Sequence, residues 1–187
     1  MSQRFKYLYH YDSPLGPMTM QSDGTNLTAL WFDDMAAEGK APVVDEFNVP
    51  IEGKMLPVFR MTIYWLDTYF AGRVPELIPP MVLNDSSFRK MVWEQLLTIP
   101  YGKTITYSEI ARRIAHRVGV SRMSAQAVGG AVGHNPILLI VPCHRVIGSD
   151  KSLTGYAAGL QRKRWLLDME KPPRPEKPRR RKHQDEP

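Results

Sequence analysis

The sequence predicts a two-part α+β protein: an N-terminal α/β domain with an antiparallel sheet over residues 1–83, and a mainly helical C-terminal domain over residues 84–170. Three observations carry this reading. Short extended segments separated by turn residues open the chain, whereas helical apolar spacing dominates after residue 84. Charge changes sign at the same place. Residues 1–84 hold six Lys and Arg against ten Asp and Glu, residues 85–170 hold twelve against six, and residues 171–187 hold seven against three. Two short helices joined by a glycine-containing turn then give a helix-turn-helix pattern in the basic half.

Length and cysteine content set the outer limits. At 187 residues the chain can bury a substantial core. Its one cysteine cannot form an internal disulfide or a cysteine-based zinc site within one chain, which fits a reducing cytoplasm. Apolar runs such as 137–141 are too short to span a membrane, and residues 1–11 lack the apolar centre of a signal peptide. The expectation is a soluble cytoplasmic protein.

Taken in order, residues 5–11 are aromatic-rich and extended, Ser13-Pro14-Leu15-Gly16-Pro17 punctuates, and residues 18–22 resume as a second strand. Asp23-Gly24 marks a turn before a third strand, Leu27–Phe32, so the opening reads as an antiparallel meander. Residues 33–54 show no period and receive no element. Leu56, Phe59, Ile63, Leu66 and Phe70 recur every three or four residues, predicting a helix over 56–71 stopped at Gly72. Trp65 and Tyr69 widen its stripe and are assigned to packing. The proline-interrupted 74–83 segment reads as an edge strand or a linker.

In the basic half, Asp85-Ser86-Ser87 offers an N-cap to a helix marked by Phe88, Met91, Val92, Leu96 and Ile99. Thr106 with Glu109 matches a capping box, opening a helix that carries Arg112, Arg113 and Arg117 outward. Ser121 or Ser124 can cap the next helix over 125–132. Its alanines and glycines permit close backbone approach but supply few side chains that reach base edges. Residues 137–141 form an apolar run expected to be buried on both sides, and 148–159 is loop by composition. A last helix holds Leu160, Trp165, Leu166, Leu167 and Met169, with Arg162, Lys163 and Arg164 on its other face. The 171–187 tail, rich in Pro, Lys and Arg, is expected to be disordered, and its Arg179-Arg180-Arg181-Lys182 run reads equally as a weak, salt-sensitive contact to nucleic acid or as a solvated tail.

Chemistry centres on Pro142-Cys143-His144-Arg145-Val146. A lone cysteine is more often a small buried hydrophobe, but here a histidine adjoins it where the chain leaves an apolar run. A thiol attacks as thiolate and needs a base or a positive field. Neighbours in a strand point to opposite faces, so proton transfer from Cys143 to His144 requires a turn or a bridging water. A carboxylate must orient the imidazole, and Glu170, Asp150 and Asp168 are candidates. The positive charge of this half favours a polyanion, with nucleic acid the leading partner.

That five-residue segment, preceded by Asn135-Pro136 and followed by Gly155-Tyr156-Ala157 and Trp165-Leu166-Leu167, resembles the methylated-DNA–protein-cysteine methyltransferases, which repair O6-alkylguanine. The resemblance covers residues 84–170. Residues 1–80 are similar in layout to the family's ribonuclease-H-like N-terminal domain. It implies a winged helix-turn-helix-like unit that enters the minor groove of double-stranded DNA and flips the alkylated guanine out of the stack. The alkyl group of guanine O6, with O4-methylthymine a further candidate, would pass irreversibly to Cys143, once per molecule. His144 would act as base through water, Glu170 would hold the histidine, and Asn135 would brace the segment before the nucleophile. Tyr107 would help rotate the nucleotide, and the carbonyls of Cys143 and Val146 would read the guanine amino group. Tyr156 and the backbone N–H of Ala157 would line the pocket and meet O6. No metal or organic cofactor is implied, and the protein is expected to act as a monomer, with or without cooperativity along DNA.

Two positions depart from the pattern. Gln126 stands where many members carry an arginine that fills the gap left by the flipped base, with Arg122 nearby. Ala157 replaces the serine of some members and keeps only the backbone donor. Two other readings compete: a helix-turn-helix sensor of alkylated DNA that does not repair it, and a Cys-His hydrolase. Sensors of that sort lack the reactive cysteine, and no oxyanion-hole motif supports a hydrolase.

Overall fold

The computed structural model describes residues 6–42, the backbone of 48–50, and residues 55–172. The tail beyond 172 lies outside the described residues.

Strands β1 (Lys6–Ser13), β2 (Gly16–Ser22) and β3 (Leu27–Phe32) form the expected meander, antiparallel throughout. The sheet gains a strand that the sequence did not announce. β4 (Asn48–Pro50) pairs in parallel with β1, giving the order β3-β2-β1-β4. Three residues ending in proline are too short to show period-two alternation. β2 lies inside the sheet, and Met18 through Ser22 are all buried, so its polar residues find internal partners: Thr19 donates to Asp33 at 2.7 Å. Helix α1 (Pro57–Phe70) starts with Pro at its first turn, and Gly72 follows it at φ 72°. Phe59, Leu66 and Tyr69 are fully buried, and each such apolar side chain contributes about 1.5–3 kcal/mol.

Four further helices follow: α2 (Ser87–Leu97), α3 (Tyr107–Val118), α4 (Ala125–Gly133) and α5 (Leu160–Met169). Ser86, Thr106 and Ser124 cap the first three through the N–H groups of Arg89, Glu109 and Ala127. Ser124, not Ser121, is therefore the cap of α4. The capping box at α3 is half made, because the Glu109 carboxylate turns outward to Arg112 and Arg113. α3, the Gly119 turn and α4 make the helix-turn-helix, and Trp93 of α2 clamps it from behind by donating to the Ala131 carbonyl at 2.9 Å. Strands β5 (Ile105–Thr106) and β6 (Val146–Ile147) form a two-residue parallel ladder beside the cysteine segment.

The outer edge of β3 ties the two halves together. Leu27 exchanges hydrogen bonds with Pro80 and Val82, so the 74–83 segment passes along the sheet rather than leaving it. Leu30 does the same with Pro136 and Leu138. An exposed edge would present unpaired N–H and C=O groups; here the chain leading to Cys143 covers it. The apolar core is continuous across residue 83, from Leu30 and Phe59 through Trp93 to Val141. Among the described residues, no helix is long and apolar enough to cross a membrane.

Candidate active site

Residues 137–141 are all buried, as expected, but they turn instead of extending. Leu139 adopts φ 68°, a left-handed conformation that costs a non-glycine residue about 1–2 kcal/mol. Asn135 holds this turn from inside. Its Oδ1 accepts the Ile137 N–H at 3.0 Å, and its Nδ2 donates to the Val141 carbonyl at 2.7 Å and to Cys143 Sγ at 3.0 Å. One amide therefore fixes both the backbone before Cys143 and the sulfur itself. Cys143–Arg145 then forms a single 3-10 turn, so Cys143 and His144 are not strand neighbours on opposite faces.

Behind the cysteine lies a buried polar cluster. His144 Nε2 is 2.8 Å from Glu170 Oε1. A carboxylate only accepts, so Nε2 carries the proton and Nδ1 presents a lone pair. Nδ1 is buried and has no protein partner. Arg145 donates to both Glu170 oxygens, at 2.9 Å each, and to the Ile99 carbonyl at 2.7 Å. The Gly102 N–H reaches Glu170 Oε2 at 3.1 Å. A Cβ at Gly102 would lie 2.7 Å from the Glu170 backbone oxygen, which explains a glycine in that turn. Of the three carboxylates open to the histidine, Glu170 holds it, while Asp150 is bound to Ser152 and Asp168 to Lys171.

Charge in this cluster follows from its surroundings. Burial alone would raise the Glu170 carboxyl, but hydrogen bonds and charge from His144 and Arg145 outweigh it and hold it at about 2. Burial also lowers His144 below the ordinary imidazole value against the pull of Glu170, so it is a neutral base near neutral pH. The Cys143 thiol is pushed up by burial to about 11, opposed by the Asn135 hydrogen bond and the charge of Lys163. The sulfur is therefore protonated near neutral pH, and it becomes a strong nucleophile only as that proton leaves.

The opposite wall corrects one sequence expectation. Lys163 does not lie on an outer basic face; it is fully buried. Its ammonium donates to the carbonyls of Val146 at 2.5 Å, Thr154 at 2.7 Å and Gly155 at 3.2 Å. Burial lowers it to about 8, with the nearby Cys143 opposing. The helical pattern gave no warning, because a lysine between two arginines reads as solvated surface. Arg162 likewise turns inward, to Asp34 at 2.9 Å and the Leu15 carbonyl at 3.1 Å. Tyr107 Oη donates to the same Thr154 and Gly155 carbonyls at 3.1 Å. The Tyr156 ring stands 6.4 Å from His144 with its hydroxyl buried and unpaired, and Ala157 follows it on the same loop. The Val146 carbonyl, expected to read a base, thus already holds one donor, leaving its second lone pair. Gln126 and Arg122 are exposed on the helix-turn-helix, and Arg122 lines a groove of about 810 Å³ there with Arg112 and His116.

Sequence reasoning missed Tyr69, whose hydroxyl reaches Glu170 Oε1 at 2.7 Å, and gave Arg145 no role although it lies inside the motif.

Known proteins share this chain's sequence pattern and fold. Residues 6–79 match the family described as 6-O-methylguanine DNA methyltransferase, ribonuclease-like domain, and residues 87–172 match its DNA binding domain. A methylated-DNA–protein-cysteine methyltransferase of Mycobacterium bovis is 41% identical over 170 residues, covering 88% of this chain and 93% of that one. One from Haemophilus influenzae is 38% identical over 170 residues, covering 89% and 87%. The crystal structure of Mycobacterium tuberculosis OGT in complex with DNA superposes with a TM-score of 0.75 at 41% identity, covering 88% and 92%. With both halves matched and the cysteine, histidine, asparagine and glutamate assembled in one buried site, this chain belongs to the methylated-DNA–protein-cysteine methyltransferase family.

Proposed function

We propose that the protein repairs O6-alkylguanine in double-stranded DNA by moving the alkyl group onto Cys143, once per molecule. The observation that carries this is a buried Cys143 held by Asn135 beside its equally buried chain neighbour His144, whose Nε2 is engaged by Glu170 and whose Nδ1 is free to take a proton. Sulfur attacks the alkyl carbon, the C–S bond forms, and the C–O6 bond breaks with its electron pair going to guanine. The thiol proton passes through water to His144 Nδ1. The Ala157 N–H and the Tyr156 hydroxyl are the donors for charge developing on the base, and the second lone pairs of the Cys143 and Val146 carbonyls meet its amino group. A thioether has no good leaving group, and no second cysteine is present to resolve it, so the product is terminal.

A base inside a stacked duplex cannot reach a sulfur that is 2% exposed, so the reading requires flipping, with Tyr107 at the pocket mouth and α4 inserted from the minor groove. Binding by a monomer and work in the reducing cytoplasm complete the reading. Duplex DNA carrying radiolabelled O6-methylguanine tests it. Label is expected on the Cys143 peptide and stops at one equivalent. Label that remains on DNA rejects repair, and continued turnover rejects the single-use mechanism.

Gln126 gives a second test. It can fill the gap left by the flipped base but brings no positive charge to it. Gln126→Arg is expected to speed repair of duplex substrate by about threefold to tenfold, an added gain of about 1 kcal/mol. Reaction with a free O6-benzylguanine base, which needs no flipping, should be unchanged. An equal gain on both substrates would place the effect in the pocket instead.

A further inference from the structure

Tyr69 is the penultimate residue of α1, in the N-terminal half, yet its hydroxyl sits in the transfer site: 2.7 Å from Glu170 Oε1 and 3.2 Å from His144 Nε2. The ring is fully buried and fixed by Trp65 (centroids 5.0 Å apart), Phe70 (5.6 Å) and Tyr101 (6.0 Å). Burial, reinforced by the Glu170 charge, pushes its phenol far above the ordinary value, so it stays a proton donor. Three donors therefore converge on one oxygen, Glu170 Oε1: Tyr69, His144 and Arg145. The tyrosine bond has two consequences. It fixes the carboxylate in the plane that meets the imidazole, and it withdraws part of the negative charge that would otherwise draw a second proton onto His144.

We infer that Tyr69 is a positioning residue for alkyl transfer, holding Glu170 against His144 and limiting the charge it offers to the ring, so that the N-terminal domain completes the reaction centre. This rests on the reading of His144 as the base. The histidine is faced by Glu170 and Lys163 from α5 and its end, by Arg145 and Cys143 from its own turn, by Tyr156 from the pocket loop and by Tyr69 from α1. Only the last is altered by Tyr69→Phe, which keeps the ring and its packing.

The test is the rate of methyl transfer from duplex O6-methylguanine between pH 5.5 and 8.5, read beside the ¹⁵N shifts of the His144 ring. Without the phenol the imidazole takes its second proton at higher pH, and the protonated ring is no base. Tyr69→Phe is expected to slow transfer by about threefold at the alkaline end and more than about tenfold at the acid end, with the ring titration displaced upward by about one unit. The same factor at every pH, or no slowing, overturns the inference. If the variant does not fold, fluorotyrosine placed at 69, a stronger donor of the same shape, must displace the ring titration downward; no displacement overturns the inference equally. His144→Asn separates the two levels. Undiminished transfer there rejects His144 as base, whereas lost transfer there with an unaffected Tyr69→Phe rejects only the role of Tyr69.

Discussion

Cys143→Ser is expected to reduce alkyl transfer below detection while leaving the fold and duplex binding intact. Serine keeps an acceptor for Asn135 Nδ2, which otherwise meets the sulfur at 3.0 Å, and it fits a site where the native side chain is 2% exposed. It does not keep the chemistry. A thiol pushed up to about 11 can still surrender its proton to a neutral imidazole as the large, polarisable sulfur begins to bond to carbon. A serine hydroxyl is a far weaker acid in the same buried place, and its oxygen is a poorer nucleophile toward an alkyl carbon. Nothing in the site replaces that deficit, because Lys163 is committed to three carbonyls and Arg145 to Glu170. Mass spectrometry of the protein after exposure to O6-methylguanine DNA is the direct measurement. A methyl group found elsewhere in the serine variant would show that Cys143 is not the acceptor.

How far the sequence led depends on the range of the interaction involved. The meander, α1 and the capped helices were legible because each is decided within about fifteen residues, by alternation, helical spacing, or a Ser or Thr three residues before its N–H partner. β4 was not, since its pairing with β1 joins segments about forty residues apart and three residues carry no pattern. The site divides in the same way. Cys143, His144 and Asn135 lie within ten residues and announced themselves as a motif, and Glu170 was reachable as one of three carboxylates. Tyr69 and Lys163 were not, because each sits on a helix where its spacing has an ordinary meaning, core for one and surface for the other. Their roles arise only when α1 and α5 are brought against the same turn. Nothing in a hydrophobic pattern records where a hydroxyl or an ammonium ends up.

Glu170→Ala is expected to be the most destabilising change in the site, by about 3–5 kcal/mol, because it strands a buried cation. Arg145 would lose its carboxylate partner while remaining only 8% exposed. His144 Nε2, the Gly102 N–H and the Tyr69 hydroxyl would lose theirs as well. Against a whole-protein stability of about 5–15 kcal/mol, that is enough to lower the melting temperature by about 10 °C or more in a chain of this size. Glu170→Gln tests charge separately from shape. Its carbonyl can still accept, but its NH2 group enters a site where Arg145, His144 and Gly102 all donate, and it is received only if the Tyr69 hydroxyl turns or the His144 ring changes tautomer. A smaller loss is expected, about half that of alanine by the usual range for one unsatisfied buried donor, 1–3 kcal/mol. The sign of the pH dependence follows from the Glu170 carboxyl, which is held at about 2 in the folded protein against an ordinary 4.5. Its stabilisation is complete above about 4.5 and is lost as pH falls toward 2. Urea unfolding should therefore show a constant gap between the native protein and Glu170→Gln at pH 6 to 8, narrowing below pH 4.5. A gap that persists unchanged into acid would mean that shape, and not the buried charge, is what Glu170 supplies.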